Sequence, residues 1–217
     1  MPIKVGLQYI DIWKESLEEQ VRDYEKETIE KGKIVFYGPS NFTRWSAKWE
    51  HTPLSEALLG KSGSKCAINR GFGSSCAEHQ LYYYPRMIRP LEPKVLVYSP
   101  FANYSAFGYS IEENWELAQR VIAYALADFP GIHIYLCSPH RHKNDTPETI
   151  EKRNKIIETE KKFVQSTPGC YFVDAFNHEP LGRQDIFVKD GVHYNQLGYD
   201  LYADFYKEVL KEELALY

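Results

Sequence analysis

Five short apolar runs, at 33–37, 66–69, 94–98, 132–138 and 170–174, punctuate this chain. Each has the length of a strand, and the stretches between them have room for a helix and in places carry helical periodicity. This alternation constrains the fold more than any other feature. Strands joined by crossover helices pair in parallel, and a parallel sheet is covered by helices on both faces because its strands are buried on both sides. The predicted fold class is therefore α/β, a three-layer α/β/α sandwich around a five-stranded parallel sheet. Turn signals sharpen the start of two strands, with Pro130-Gly131 before the fourth and Thr167-Pro168-Gly169 before the fifth.

Ile10, Trp13, Leu17, Val21 and Tyr24 recur at three- and four-residue spacings, which predicts an amphipathic helix over about 10–31 with a glycine C-cap at Gly32. Helices are also expected over 111–128 and 146–164. A last one is expected from about 196 to 214, with Leu197, Leu201, Phe205, Val209 and Leu210 as its core stripe. No internal repeat, low-complexity stretch or Gly/Ser/Pro-rich linker interrupts the pattern, so the 217 residues are expected to form one domain, 1–217, with its core over about 33–217.

Composition narrows the function. With 26 Lys+Arg against 30 Asp+Glu the formal charge is −4, and the cations form no basic tail, so nucleic acid is not an expected partner. The N-terminus runs at once into a charged segment and no apolar run approaches the roughly 20 residues that span a bilayer. A cytoplasmic protein with no membrane partner is expected. Cys66, Cys76, Cys137 and Cys170 show no CxxC spacing and are expected to be buried, reduced thiols. The 17 tyrosines exceed what a core of this size is expected to absorb with every hydroxyl satisfied, so many should line surfaces, as in a cleft for a small organic substrate or an interface.

Ligands of open parallel sheets bind outside the carboxyl ends of the strands. Ser40 follows the first run, 71–75 the second and Asn103 the third; Pro139-His140-Arg141-His142 follows the fourth, and Asp190 and His193 come after the fifth. A histidine that moves protons near neutral pH needs a carboxylate to orient it and a hydroxyl to activate. His193, Asp190 and Ser40 supply these roles. The oxyanion formed by attack of Ser40 on an acyl carbon needs donors, and the N–H of Ser40, those of the Gly73-Ser74 turn and the Asn103 amide are the candidates.

Four ordered blocks carry a resemblance. Gly38-Pro39-Ser40, Asn69-Arg70-Gly71-Phe72-Gly73-Ser74, Asn103 and Asp190-Gly191-Val192-His193 resemble the Gly-Asp-Ser, glycine, asparagine and Asp-x-x-His blocks of the SGNH (GDSL-type) esterases and acylhydrolases. The flanks 34–37 and 195–199 are similar too. The resemblance implies a flavodoxin-like sheet, a Ser-His-Asp triad, an oxyanion hole and ester hydrolysis without a metal or other cofactor. Three positions depart from the pattern: Pro39 stands for the usual Asp, Ser74 for the oxyanion glycine, and the block around Asn103 is one residue longer.

Further candidates surround this constellation. Gly73, Trp45 and His140 are expected substrate contacts, although Trp45 and Trp49 stand at a helical spacing that equally suits core packing. His140, His142 and Asp145 form a purely local cluster with no evident fourth ligand, so no metal is expected. A Ser-x-x-Lys match at 62–65 carries little, because Lys65 opens a strand. The expected function is hydrolysis of small or short-chain acyl esters, acetylated sugars among them, through an acyl-enzyme. The rivals are a binding protein of the same fold with weak catalysis, and acyl transfer to an alcohol. The acyl group, the alcohol and the oligomeric state stay open.

Overall fold

The computed structural model describes residues 14–28 and 30–217. The five expected runs become β1 (Ile34–Gly38), β2 (Ala67–Gly71), β3 (Val95–Tyr98), β4 (His133–Cys137) and β5 (Cys170–Val173). The helices are α1 (Lys14–Glu25), α2 (Ser40–Thr43), α3 (Leu54–Ala57), α4 (Ala77–Met87), α5 (Ile111–Asp128), α6 (Pro147–Ser166), α7 (Gln196–Val209) and α8 (Lys211–Leu214). All strand pairs are parallel, in the order β2-β1-β3-β4-β5.

Strand periodicity divides the core in two. Val35, Tyr37, Leu96, Tyr98, Ile134 and Leu136 face a cluster completed by α1, α4 and α5, with Phe163 and Val164 of α6 against it. The intervening Ile34, Phe36, Val95, Val97 and Cys137 face Trp45, Leu54 and the Tyr199, Tyr202 and Tyr206 stripe of α7. Local signals start the long helices. Ser110 and Glu113 make a reciprocal capping box on α5, Thr146 caps α6 with Pro147 in its first turn, and Asn195 caps α7.

Four expectations change. The part of the first helix before Lys14 lies outside the described residues, and its end is at Glu25, short of Gly32. Tertiary contacts stop it: the Tyr24 hydroxyl donates to the Gly71 carbonyl at 2.6 Å and the buried Arg70 pairs with Glu27 at 2.8 Å, which turns the chain toward the sheet. The C-terminal helix breaks at Leu210 into α7 and α8. α4, not among the helices named from periodicity, puts Ala77, Tyr84 and Met87 in the core, but it also buries Glu78, His79 and Gln80 and contains Pro85, which obscure its apolar stripe. Most unexpected is the placement of tyrosine. Tyr37, Tyr83, Tyr84, Tyr98, Tyr194, Tyr199, Tyr202 and Tyr206 are fully buried, many with bonded hydroxyls such as Tyr37 to the Gln80 carbonyl and Tyr199 to the Asn41 carbonyl. The core absorbs more of them than expected because several hydroxyls find partners there, in backbone carbonyls, in side chains such as Glu18 and His140, and in one another, as between Tyr202 and Tyr206. The four cysteines are free and buried. No described helix is long and apolar enough to cross a membrane.

The strand order reverses between β1 and β3, and connections leaving there in opposite directions open a crevice at the carboxyl ends. Close packing is needed beside it. A Cβ on Gly71 would lie 2.3 Å from the Thr43 nitrogen, so only glycine lets α2 settle on the end of β2.

Candidate active site

Ser40 opens α2 directly after β1, with Pro39 in the N-cap position at φ −82°. Its hydroxyl is therefore not spent on capping. The side chain of Asn69 holds the turn from below, its amide donating to the Phe42 carbonyl at 2.6 Å while its oxygen accepts the Gly71 N–H at 2.8 Å.

The second part comes from the segment before α7. Residues 190–193 make a tight turn with Gly191 at φ +70°, closed by the Val188 N–H donating to the His193 carbonyl at 2.9 Å. The Lys143 N–H donates to the Gly191 carbonyl at 2.7 Å and ties the turn to the segment before α6. Within the turn one oxygen of Asp190 accepts the N–H groups of Val192 and His193 at 2.9 and 3.0 Å. The other contacts His193 Nδ1 at 2.7 Å, and His193 Nε2 lies 2.8 Å from Ser40 Oγ. In the neutral imidazole, Nδ1–H donates to Asp190 and Nε2 accepts the serine proton.

The electrostatics suit that tautomer. Burial raises the Asp190 carboxyl, but the two backbone N–H groups and the imidazole outweigh it and hold it well below the usual carboxylate range. Burial pulls His193 down, the bond to Asp190 pushes it up, and the Arg44 guanidinium adds to the lowering, with a net fall. The imidazole is free to accept a proton at lower pH than an ordinary histidine. Arg44 was not foreseen. It donates to the same Asp190 oxygen at 3.2 Å from 146 residues away, and its guanidinium lies 4.3 Å from the Trp49 ring centroid.

The expected oxyanion donors converge on Ser40 from three loops. Among the described residues, the N–H groups of Ser40 and Ser74 donate to no other group of the fold. Ser74 sits at φ +65°, so the departure from glycine keeps the left-handed angle, at a cost of about 1–2 kcal/mol. Asn103 is left-handed as well, at φ +58°, and its amide gives one hydrogen to the Ser75 carbonyl at 2.9 Å, leaving the second for a ligand. Gly73 lines the site, but its N–H is committed to the Gln20 side chain of α1 at 2.8 Å. Gln20 was also missed by sequence reasoning, which had no reason to bring α1 to this loop.

Two grooves meet at Ser40 and Asn103. The wider, about 630 Å³, is lined by His193, Ser74, Arg44, Trp49 and the acidic face of α1. The narrower, about 340 Å³, runs beneath α6 along Phe101, Tyr104, His140, Lys152 and Arg153. Of the expected substrate contacts, His140 lines the narrow groove, its Nε2 3.1 Å from the Tyr202 hydroxyl, and burial pushes it down to about 3. Trp45 is corrected: it is 1% exposed, stacked on Tyr199 and packed against Tyr202 in the core, because the turn after α2 rolls it under α7. Trp49, 42% exposed, is the indole at the site. No group of three or more potential ligands for a metal occurs among the described residues.

Against this geometry stand the comparisons with known proteins. No protein-family profile matches the chain, and no curated protein matches it in sequence. Solved structures do. A Bacteroides fragilis protein assigned as an acylhydrolase superposes with a TM-score of 0.71 at 19% identity, covering 90% of this chain and 96% of its own. An acetyl xylan esterase gives 0.67 at 18% identity, with 82% and 99% covered. A GDSL-like lipase from Bacteroides thetaiotaomicron gives 0.64 at 17% identity, with 93% and 98% covered. The five-stranded parallel sheet and its flanking helices are thus the fold this chain shares with the GDSL-like lipases and related ester hydrolases, the SGNH-hydrolase fold.

Proposed function

We propose that this chain is a serine ester hydrolase of the SGNH (GDSL-type) family, acting on small or short-chain acyl esters through an acyl-enzyme. The observation that carries the reading is the continuous Ser40–His193–Asp190 hydrogen-bond series beside three convergent donors. Ser40 Oγ attacks the acyl carbon while its proton passes to His193 Nε2; Asp190 stabilises the imidazolium. The oxyanion is held by the N–H groups of Ser40 and Ser74 and the Asn103 amide. His193 returns the proton to the departing alkoxide as the acyl–oxygen bond breaks. Water then repeats the sequence on the acyl-enzyme, releasing the acid and restoring Ser40.

Hydroxyl-rich alcohols suit the wide groove, where the exposed Trp49 face stands across from polar side chains of α1. Sugar esters, acetylated sugars among them, are the substrates we favour on the alcohol side, in keeping with the acetyl xylan esterase that shares the fold. The test is hydrolysis of p-nitrophenyl acetate together with fluorophosphonate labelling. Wild type is expected to turn over and to label, and Ser40→Ala and His193→Ala to lose roughly 10⁴- to 10⁶-fold in kcat. Equal slow rates in all three proteins, with no labelling of Ser40, would sink the proposal in favour of a binding protein. Product analysis with an added alcohol separates hydrolysis from acyl transfer.

A further inference from the structure

The grooves on either side of Ser40 differ in what a reacting ester can place there. In acyl transfer the general acid must reach the leaving oxygen, so the alcohol departs on the side to which the imidazole opens. His193 lines the wide groove and is absent from the lining of the narrow one, whereas Ser40 and Asn103 line both. With the carbonyl carbon at Ser40 and its oxygen toward Asn103, the alcohol occupies the wide groove and the acyl chain enters the narrow one.

The narrow groove is not built for a plain alkyl chain. Phe101, Pro139 and Ile156 give it an apolar stretch, but Lys152 and Arg153 stand in its wall and, among the described residues, no carboxylate does. The carboxylates that balance these cations lie outside the lining. Arg153 pairs with Asp145 and donates from its other nitrogen to His142 Nδ1 at 3.0 Å, a contact that requires the neutral imidazole. Among the described residues Lys152 is held only by Glu148, one turn away at 2.8 Å, in a solvent-exposed pair that a ligand carboxylate can displace at little cost. Burial is what chiefly holds His140 and His142 down, and the Arg153 guanidinium adds a smaller lowering to each.

Resting on the esterase reading, we infer that the narrow groove is an acyl subsite selecting chains that end in an anion, such as half-esters of dicarboxylic acids, with Lys152 as the residue that meets the charge.

The experiment compares p-nitrophenyl acetate, p-nitrophenyl hexanoate and the p-nitrophenyl half-ester of adipic acid, the last two of equal chain length. Wild type is expected to prefer the half-ester over the hexanoate by about tenfold or more in kcat/KM, mainly through KM. Lys152→Glu should erase that ratio and Lys152→Arg keep it. Lys155→Glu, on the same helix but outside the groove lining, should leave it unchanged. A wild type that prefers the hexanoate, or a ratio indifferent to Lys152→Glu, overturns the inference. So does a preference for para-carboxyphenyl acetate over phenyl acetate that depends on Lys152, which would put the anion on the alcohol side. If no ester is turned over, the hydrolase reading itself fails. Calorimetric binding of monomethyl adipate to Ser40→Ala, with and without Lys152→Glu, then decides the subsite by itself: Lys152-dependent binding supports it and absence of binding overturns it.

Discussion

The wide groove has one wall from α1 and the residues just after it, carrying Glu19, Asp23 and Glu27, and another from the turn after α2, carrying Arg44, Lys48 and Trp49. Among the described residues the narrow groove has two cations, two neutral histidines and no carboxylate. Both share Ser40 and Asn103. Chemistry at the junction is common to every ester, whereas the two ends of the ester meet different electrostatic surroundings. A substitution at the junction should therefore scale all substrates alike, and one in a groove should change the ratio between substrates.

The largest of these effects is expected at Asn103. Asn103→Ala removes one donor and should lower kcat by roughly 10²- to 10³-fold, equally for esters that differ in acyl or in alcohol. Unequal losses measured across such a panel would place Asn103 in one groove and blur the comparison. Next comes Arg44, which lines only the wide groove yet touches Asp190. Arg44→Ala should cost about tenfold in kcat/KM, the scale of a hydrogen bond to a charged group. The sign of its pH effect follows from the cation. Arg44 lowers the His193 pKa, so its loss raises that pKa and moves the acid limb of kcat/KM to higher pH. Arg44→Lys should restore part of the shift; an acid limb that stays in place in Arg44→Ala would mean the guanidinium does not act through the imidazole.

Trp49→Ala tests the alcohol side alone. KM for an acetylated sugar should rise by about three- to tenfold, with little change for p-nitrophenyl hexanoate, and initial rates on the two esters would reveal any equal effect. The smallest effect on rate belongs to Ser74. Ser74→Gly relieves the left-handed strain and is expected to stabilise the fold by at most about 1 kcal/mol, because glycine loses more chain entropy on folding. Activity should stay within a few-fold, since the donor is a backbone N–H. Thermal melting and kinetics on the same preparation check both, and a large activity loss would assign the Ser74 hydroxyl a role of its own.

Particular residues show why some of this was legible in the chain and some was not. The strands were readable because apolar runs bounded by turn residues report burial locally, and 111–128 was readable because its apolar residues recur at helical spacing. α4 was obscured because buried polar residues share its inward face with the apolar ones and a proline lies within it. Ser40, Asp190 and His193 stood out because a turn after a strand and an Asp-x-x-His spacing are short-range patterns. Arg44 and Gln20 carry no such mark, and nothing local distinguishes an arginine that reaches Asp190 from one in water. Trp45 and Trp49 look alike in sequence, and only the packing of α7 buries the first and leaves the second open.

The order of strands and helices, the capped starts of α5, α6 and α7 and the residue types needed for acyl chemistry are properties of the sequence itself, since each depends on neighbours a few positions apart. Tertiary structure alone decided how those residues are used. Reversal of strand order between β1 and β3 places Ser40 and Asn103 around one crevice, and packing of α7 brings His193 to within 2.8 Å of a serine 153 residues away. The laying of α1 and α6 along opposite sides then makes two grooves of different charge. The physical reason is that hydrogen bonds and electrostatic fields act over a few ångströms of space, and chain separation says little about which groups will share that space.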